Sequence, residues 1–163
     1  MTVAELDGSG IAEQYALLIK LNPEAFDQLM QMRMVIETAV TAAAASARTA
    51  DDLAALRASI EATRQASEDE NYQAAIDADL TFHSAVARAT QNPFLVLVMN
   101  PVNEALRETY REPQGYLASQ PETAAEHEAI YEAILSQDPE AAGEAAQTHI
   151  RRVIAGRDRF LGE

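Results

Sequence analysis

The sequence predicts an all-α protein, an antiparallel bundle of six to seven helices, and three observations carry that prediction. First, 48% of the 163 residues are hydrophobic but only 6% are aromatic, with no Trp and a dominance of alanine. Alanine is the best helix former and a poor strand former, so this mixture favours closely packed helices. Second, apolar residues recur at the spacing of one helix face. Third, Asn22-Pro23, Asn92-Pro93 and Asp138-Pro139 each set a good N-cap before a proline at the first helical position.

Between these marks the chain divides into helices near 10–20, 23–46, 50–69, 71–90, 93–111, 121–136 and 139–160. The second buries Phe26, Leu29, Met30, Ile36 and Val40, and the fourth Tyr72, Ala75, Ile76, Leu80, Val86 and Ala87. The fifth carries Asn100-Pro101 within an apolar run, which predicts a kink or split, and Glu112-Pro113 before Gly115 predicts its end or a second break. Gln120-Pro121 is a weaker start for the sixth, whose stripe is Ala124, Ile130, Tyr131 and Ile134. The seventh stripe is Ala142, Ala146, Ile150, Val153 and Ile154. Connections are short, so consecutive helices are expected to be antiparallel neighbours. The one stretch with any strand character is "TVAEL" at the start.

Bulk properties narrow the function classes. With no cysteine, disulfides, thiolate ligands and Cys nucleophiles are excluded. No stretch approaches the roughly 18 apolar residues of a membrane span, and "MTVAELDGSG" lacks the features of a signal peptide. A soluble cytoplasmic protein, with no membrane partner, is expected. The formal net charge of −14 repels phosphate backbones, so the chain alone is not expected to bind nucleic acid.

The informative residues are polar ones on apolar faces. Asp79 and His83 lie on the inward stripe of the fourth helix, one turn apart. His127 aligns with the sixth stripe and His149 with the seventh, so all three histidines of the chain point inward. A single inward histidine is ordinarily a satisfied core residue, but a buried carboxylate is costly unless it is neutralised or paired. A shared divalent cation explains the four together. Imidazole with carboxylate suits Zn first, with Ni, Mn, Fe or Co as alternatives, rather than Ca or Mg. A ferritin-like di-iron pattern fails because Leu80, Ala124 and Ala146 stand three residues before the histidines, where Glu is required. The zincin pattern fails because position 131 is Tyr.

Arg33 lies on the second stripe, one turn before Glu37. It reads either as a buried ion pair or as a guanidinium poised for a ligand carboxylate. Arg107, near the middle of the fifth helix, is a second candidate of the same kind.

In their order and spacing, "MRMVIETAVTAAAA", "DLTFHSAVARATQNPFL", "EHEAIYEAILSQDPEAA" and "THI" resemble a known family. It is the FCD module, the C-terminal ligand-sensing domain of FadR-subfamily GntR transcription regulators, and the resemblance covers nearly the whole chain. It implies a six- or seven-helix bundle around a central metal and ligand cavity, with Asp79, His83, His127 and His149 as metal ligands. Arg33 matches the family's opening arginine and would contact an effector carboxylate. A small organic acid is the implied effector, and the complete quartet argues against a fatty-acyl-CoA.

Family members carry a winged-helix DNA-binding domain before the bundle and act as dimers. Residues 1–10 resemble the last wing strand and linker, and 11–163 the sensing domain, with the winged helix itself missing. The expected role is therefore effector sensing that controls DNA binding by a full-length homodimer, not catalysis. Two alternatives use the same site: a helical-bundle metalloenzyme, a hydrolase or transferase, and a metal that merely staples helices. Against the enzyme, Glu37 is the only inward candidate for a general base, and it is expected to pair with Arg33.

Overall fold

In the computed structural model, which describes residues 9–22 and 24–161, the chain runs α1 (Ser9–Leu21), α2 (Ala25–Ala47), α3 (Ala50–Glu68), α4 (Tyr72–Ala89), α5 (Pro93–Thr109), α6 (Pro113–Ala118), α7 (Gln120–Leu135), α8 (Pro139–Ala155) and α9 (Arg157–Leu161). No strand occurs among the described residues. The all-α expectation holds, with the two short helices α6 and α9 added to it. The "TVAEL" segment and the wing assignment up to residue 8 lie outside the described residues, and α1 already begins at Ser9. No described helix is long and apolar enough to cross a membrane.

Short-range chemistry sets the boundaries. Thr49 and Asp52 form a reciprocal capping box at the start of α3. Three connections share one construction, in which Glu70, Gln91 and Gln137 take left-handed φ values of 50°, 57° and 55°. The next residue then caps the following helix: Asn71 accepts from the Ala74 amide, Asn92 from that of Phe94 and Asp138 from that of Ala141. Left-handed geometry costs an L-residue about 1–2 kcal/mol, and glycine's extra chain entropy offsets about half of any relief. Exposed Gln137 makes a clean test. Gln137→Gly is expected to stabilise the fold by about 0.5–1 kcal/mol, seen as a rise in Tm of about 1–4 °C.

Two sequence expectations need correction. Pro101 neither splits nor ends α5, which runs unbroken from Pro93 to Thr109. Proline cannot donate the backbone bond at its own position, but buried Met99, Val102, Ala105 and Leu106 anchor the helix on both sides. At Glu112-Pro113 the expected break is present: α5 ends at Thr109, and Pro113 then opens the short helix α6. Gln120 is the first residue of α7, not its cap, and Ser119 precedes it without a side-chain capping bond.

Side-chain pairs show the antiparallel packing. Asp27 at the start of α2 meets Arg157, two residues past the end of α8, while Thr38 lies against Gly143 in the first turns of α8, so α2 and α8 run in opposite directions. Arg64 and Arg57 bind Glu128 and Glu132 in reverse order across α3 and α7. Ser84–Asn103 and Asp77–Arg107 do the same for α4 and α5.

The apolar core has two parts. One gathers Val40, Ala44, Leu56, Ile60, Val86, Met99, Ile130 and Ile134. The other gathers Phe26, Met30, Ile76, Leu80, Leu106, Ile150, Val153 and Phe160. On α2, α4 and α8 the inward polar residues fall between the two, at Arg33 and Glu37, Asp79 and His83, and His149. The bundle therefore carries a polar layer at its waist.

Candidate metal centre

The polar layer follows from helical periodicity on elements fixed by their caps. Asp79 and His83 stack one turn apart on α4, with Ala75, Ile76, Val86 and Ala87 continuing the buried face. His127 comes from α7 and His149 from α8. Each of the four offers one ligand atom, and those atoms all lie within 4.8 Å of one another. Asp79 Oδ1 is 3.6 Å from His83 Nε2 and 3.4 Å from His127 Nε2. Asp79 Oδ1, His83 Nε2 and both ring nitrogens of His127 are buried without a hydrogen-bond partner.

Such orphaned atoms are costly in a protein interior, and the chemistry of the donor set fits a metal. Ligand bonds of about 2.0–2.2 Å place neighbouring ligand atoms about 3–4 Å apart, the range in which Asp79 Oδ1 already stands from His83 Nε2 and His127 Nε2. The outer groups fit as well. His83 Nδ1 lies 2.8 Å from Glu37 Oε2, and His149 Nδ1 lies 2.7 Å from Glu126 Oε2. A carboxylate on the far nitrogen fixes the tautomer that presents the other nitrogen to a metal. His127 lacks such a partner and is held by stacking on Phe82, with ring centroids 3.9 Å apart.

Charge in the layer is balanced by close pairing. Burial pushes the Asp79 carboxyl up, but the nearby imidazoles of His83, His127 and His149 hold it well below its ordinary range. Burial likewise opposes ionisation of Glu37, and the charges of Arg33 and His83 overcome it. His127 is held well below the ordinary imidazole value by burial and by repulsion from His149. His149 is lowered too, chiefly by burial. Burial lowers His83 as well, but Glu37 reverses the sign and raises it. Neutral imidazole is the donor form, so His127 and His149 are ready to ligate.

Arg33 is 2% exposed and donates through Nε to Glu37 Oε1, as the sequence reading anticipated for an ion pair. The second, ligand-binding reading keeps support too, because one terminal nitrogen of Arg33 is buried with no acceptor. Arg33 thus extends the chain His83–Glu37 to a vacant donor. Arg107 is placed elsewhere. It lies half-buried on the outer side of α5, paired with Asp77 and Glu104.

Sequence reasoning missed several participants. Glu126 holds both His149 and Arg152, the latter at 2.7 Å, while Arg152 also donates to Thr123 at 2.8 Å. Tyr116 donates to Asp79 Oδ2 at 2.7 Å, and burial with the Asp79 charge keeps its phenol protonated.

Residues 28–152 match the FCD domain family. The chain belongs to the FCD domain family. Its curated relatives are transcription regulators rather than enzymes. This FCD domain is 29% identical over 151 residues to the galactonate operon transcriptional repressor of Escherichia coli K12, with 92% of the chain and 63% of the repressor covered. It is 31% identical over 166 residues to the HTH-type transcriptional regulator LutR of Bacillus subtilis 168, with 93% and 72% covered.

Among solved structures, the fold is shared with Streptococcus agalactiae GntR, at a TM-score of 0.68 and 21% identity over 78% of this chain and 57% of that one. It is also shared with Lar, which controls expression of the Listeria monocytogenes agr system, at a TM-score of 0.72 and 18% identity over 83% and 64%. The FCD domain thus spans a little under two thirds of most of these relatives.

Proposed function

We propose that this FCD domain senses a small carboxylic acid through a divalent metal held by Asp79, His83, His127 and His149. The observation that carries the reading is the convergence of four buried ligand groups, in which the facing atoms of Asp79, His83 and His127 have no hydrogen-bond partner and the imidazoles of His83 and His149 are backed by carboxylates. The metal supplies open coordination positions to an oxygen ligand. The protein supplies Arg33, whose spare donor suits a carboxylate. The galactonate relative supports this class, since galactonate is a hydroxylated carboxylate able to present hydroxyl and carboxylate oxygens together. Zn is the metal that the donor set favours.

In the full-length regulator the domain would act as one half of a homodimer whose DNA contacts lie in a winged-helix domain outside this chain. Effector binding controls DNA affinity only if the effector prefers one arrangement of the bundle. The enzyme alternative is not favoured. Its one candidate base, Glu37, is committed to both Arg33 and His83. Metal analysis and native mass spectrometry of the purified domain provide the test. About one equivalent of a transition metal, removed by chelator with loss of carboxylate binding, is expected. A protein without metal that still binds acids would overturn the reading.

A further inference from the structure

The two oxygens of Asp79 have different surroundings. Oδ1 faces His83 and His127 and has no hydrogen-bond partner. Oδ2 accepts a 2.7 Å hydrogen bond from the Tyr116 hydroxyl, itself in a buried residue of α6. A free carboxylate can ligate through either oxygen or through both at once, whereas a phenol that donates to one oxygen competes with a metal for its lone pairs and favours ligation through the other. We propose that Tyr116 is a positioning residue that makes Asp79 a one-oxygen metal ligand, and that α9 sets the position of Tyr116.

The bracing by α9 is specific. The Phe160 carbonyl accepts from the Arg111 amide at 2.9 Å and the Glu112 amide at 3.3 Å, which ties the segment entering α6 to α9. Gly115 packs directly against the Arg159 carbonyl, where any Cβ would collide. The Tyr116 ring then lies 5.9 Å from Phe160, 5.2 Å from Tyr110 and 5.7 Å from Tyr72, centroid to centroid. The Tyr116 hydroxyl on α6 is thereby aimed at a carboxylate on α4.

The inference rests on the metal reading above, and the test separates the two. Zn²⁺ affinity is measured by competition with a chromophoric chelator, alongside the visible spectrum of the Co²⁺-loaded protein, for wild type, Tyr116→Phe, Gly115→Ala and Tyr72→Phe. Tyr72 belongs to the same aromatic group, but its hydroxyl donates to the Tyr110 carbonyl, not to Asp79. Tyr116→Phe is expected to weaken Zn²⁺ by roughly 10–100-fold, as loss of an outer-sphere partner does. The Co²⁺ bands should shift as Asp79 turns to use both oxygens. Gly115→Ala, which keeps the phenol but displaces it, should change both readouts in the same direction and serves if the phenylalanine variant does not fold. Tyr72→Phe should match wild type. Wild-type affinity and spectrum in Tyr116→Phe, or equal losses in Tyr72→Phe, would overturn the positioning role and leave the metal reading intact. Wild-type protein that binds neither ion would overturn both.

Discussion

His83→Ala is expected to abolish stable metal binding, an effect larger than the roughly 10–100-fold seen when only an outer-sphere partner is lost. The imidazole is the one group that links both carboxylates of α2 and α4, through Glu37 on one nitrogen and Asp79 on the other. Its removal takes a ligand and also frees Glu37 Oε2, although Arg33 still pairs the other oxygen. The measurement is thermal unfolding with and without Zn²⁺. A ligand at 100 times its Kd adds about 2.7 kcal/mol, which corresponds to a rise of roughly 5–10 °C for a chain of this size. Wild type should show that rise and His83→Ala should not. An equal rise in the variant would remove His83 from the site.

Arg33 calls for a different substitution. Arg33→Ala would strand the buried Glu37 carboxylate and cost about 3–5 kcal/mol, so lost effector binding could not be separated from lost fold. Arg33→Lys keeps the charge beside Glu37 but lacks the planar pair of donors that grips a carboxylate. The expected result is metal affinity within a few-fold of wild type, with carboxylate affinity falling on the order of 10-fold or more, since a charge-assisted hydrogen bond is worth about 1.5–3 kcal/mol. Calorimetry on the metal-loaded domain checks it. Unchanged carboxylate affinity would return Arg33 to the role of structural counter-ion.

The legible parts of this protein were those encoded by local pattern. Asn92, Asp138 and their prolines marked helix starts that the structure shares, and long amphipathic stretches gave every helix of more than a dozen residues. The quartet was legible because four polar residues broke apolar stripes. Helices of six and five residues, such as α6 and α9, are too short to display a period, so Pro113 read as an end or break and not also as the start of a helix. Tyr116 was hidden for that reason. Glu126 was hidden for another: it stands beside His127 in sequence yet serves His149, a pairing made only when α7 and α8 meet. The pairing of Arg107 with Asp77 was hidden as well, because a basic residue late in α5 signals nothing about which neighbour it faces.

The layer of charge at the waist has a further consequence for specificity of folding. Alanine-rich helices present smooth, shallow surfaces, and α2 approaches α8 where Thr38 rests on Gly143. Surfaces like these can slide along one another at little cost in buried area. Arg33, Glu37, Asp79 and the histidines remove that freedom. A slip by one residue turns a helix face by about 100° and would drive a charge into one of the two apolar compartments. The waist therefore acts as a register key, selecting one alignment of the helices that hydrophobic burial alone would leave degenerate.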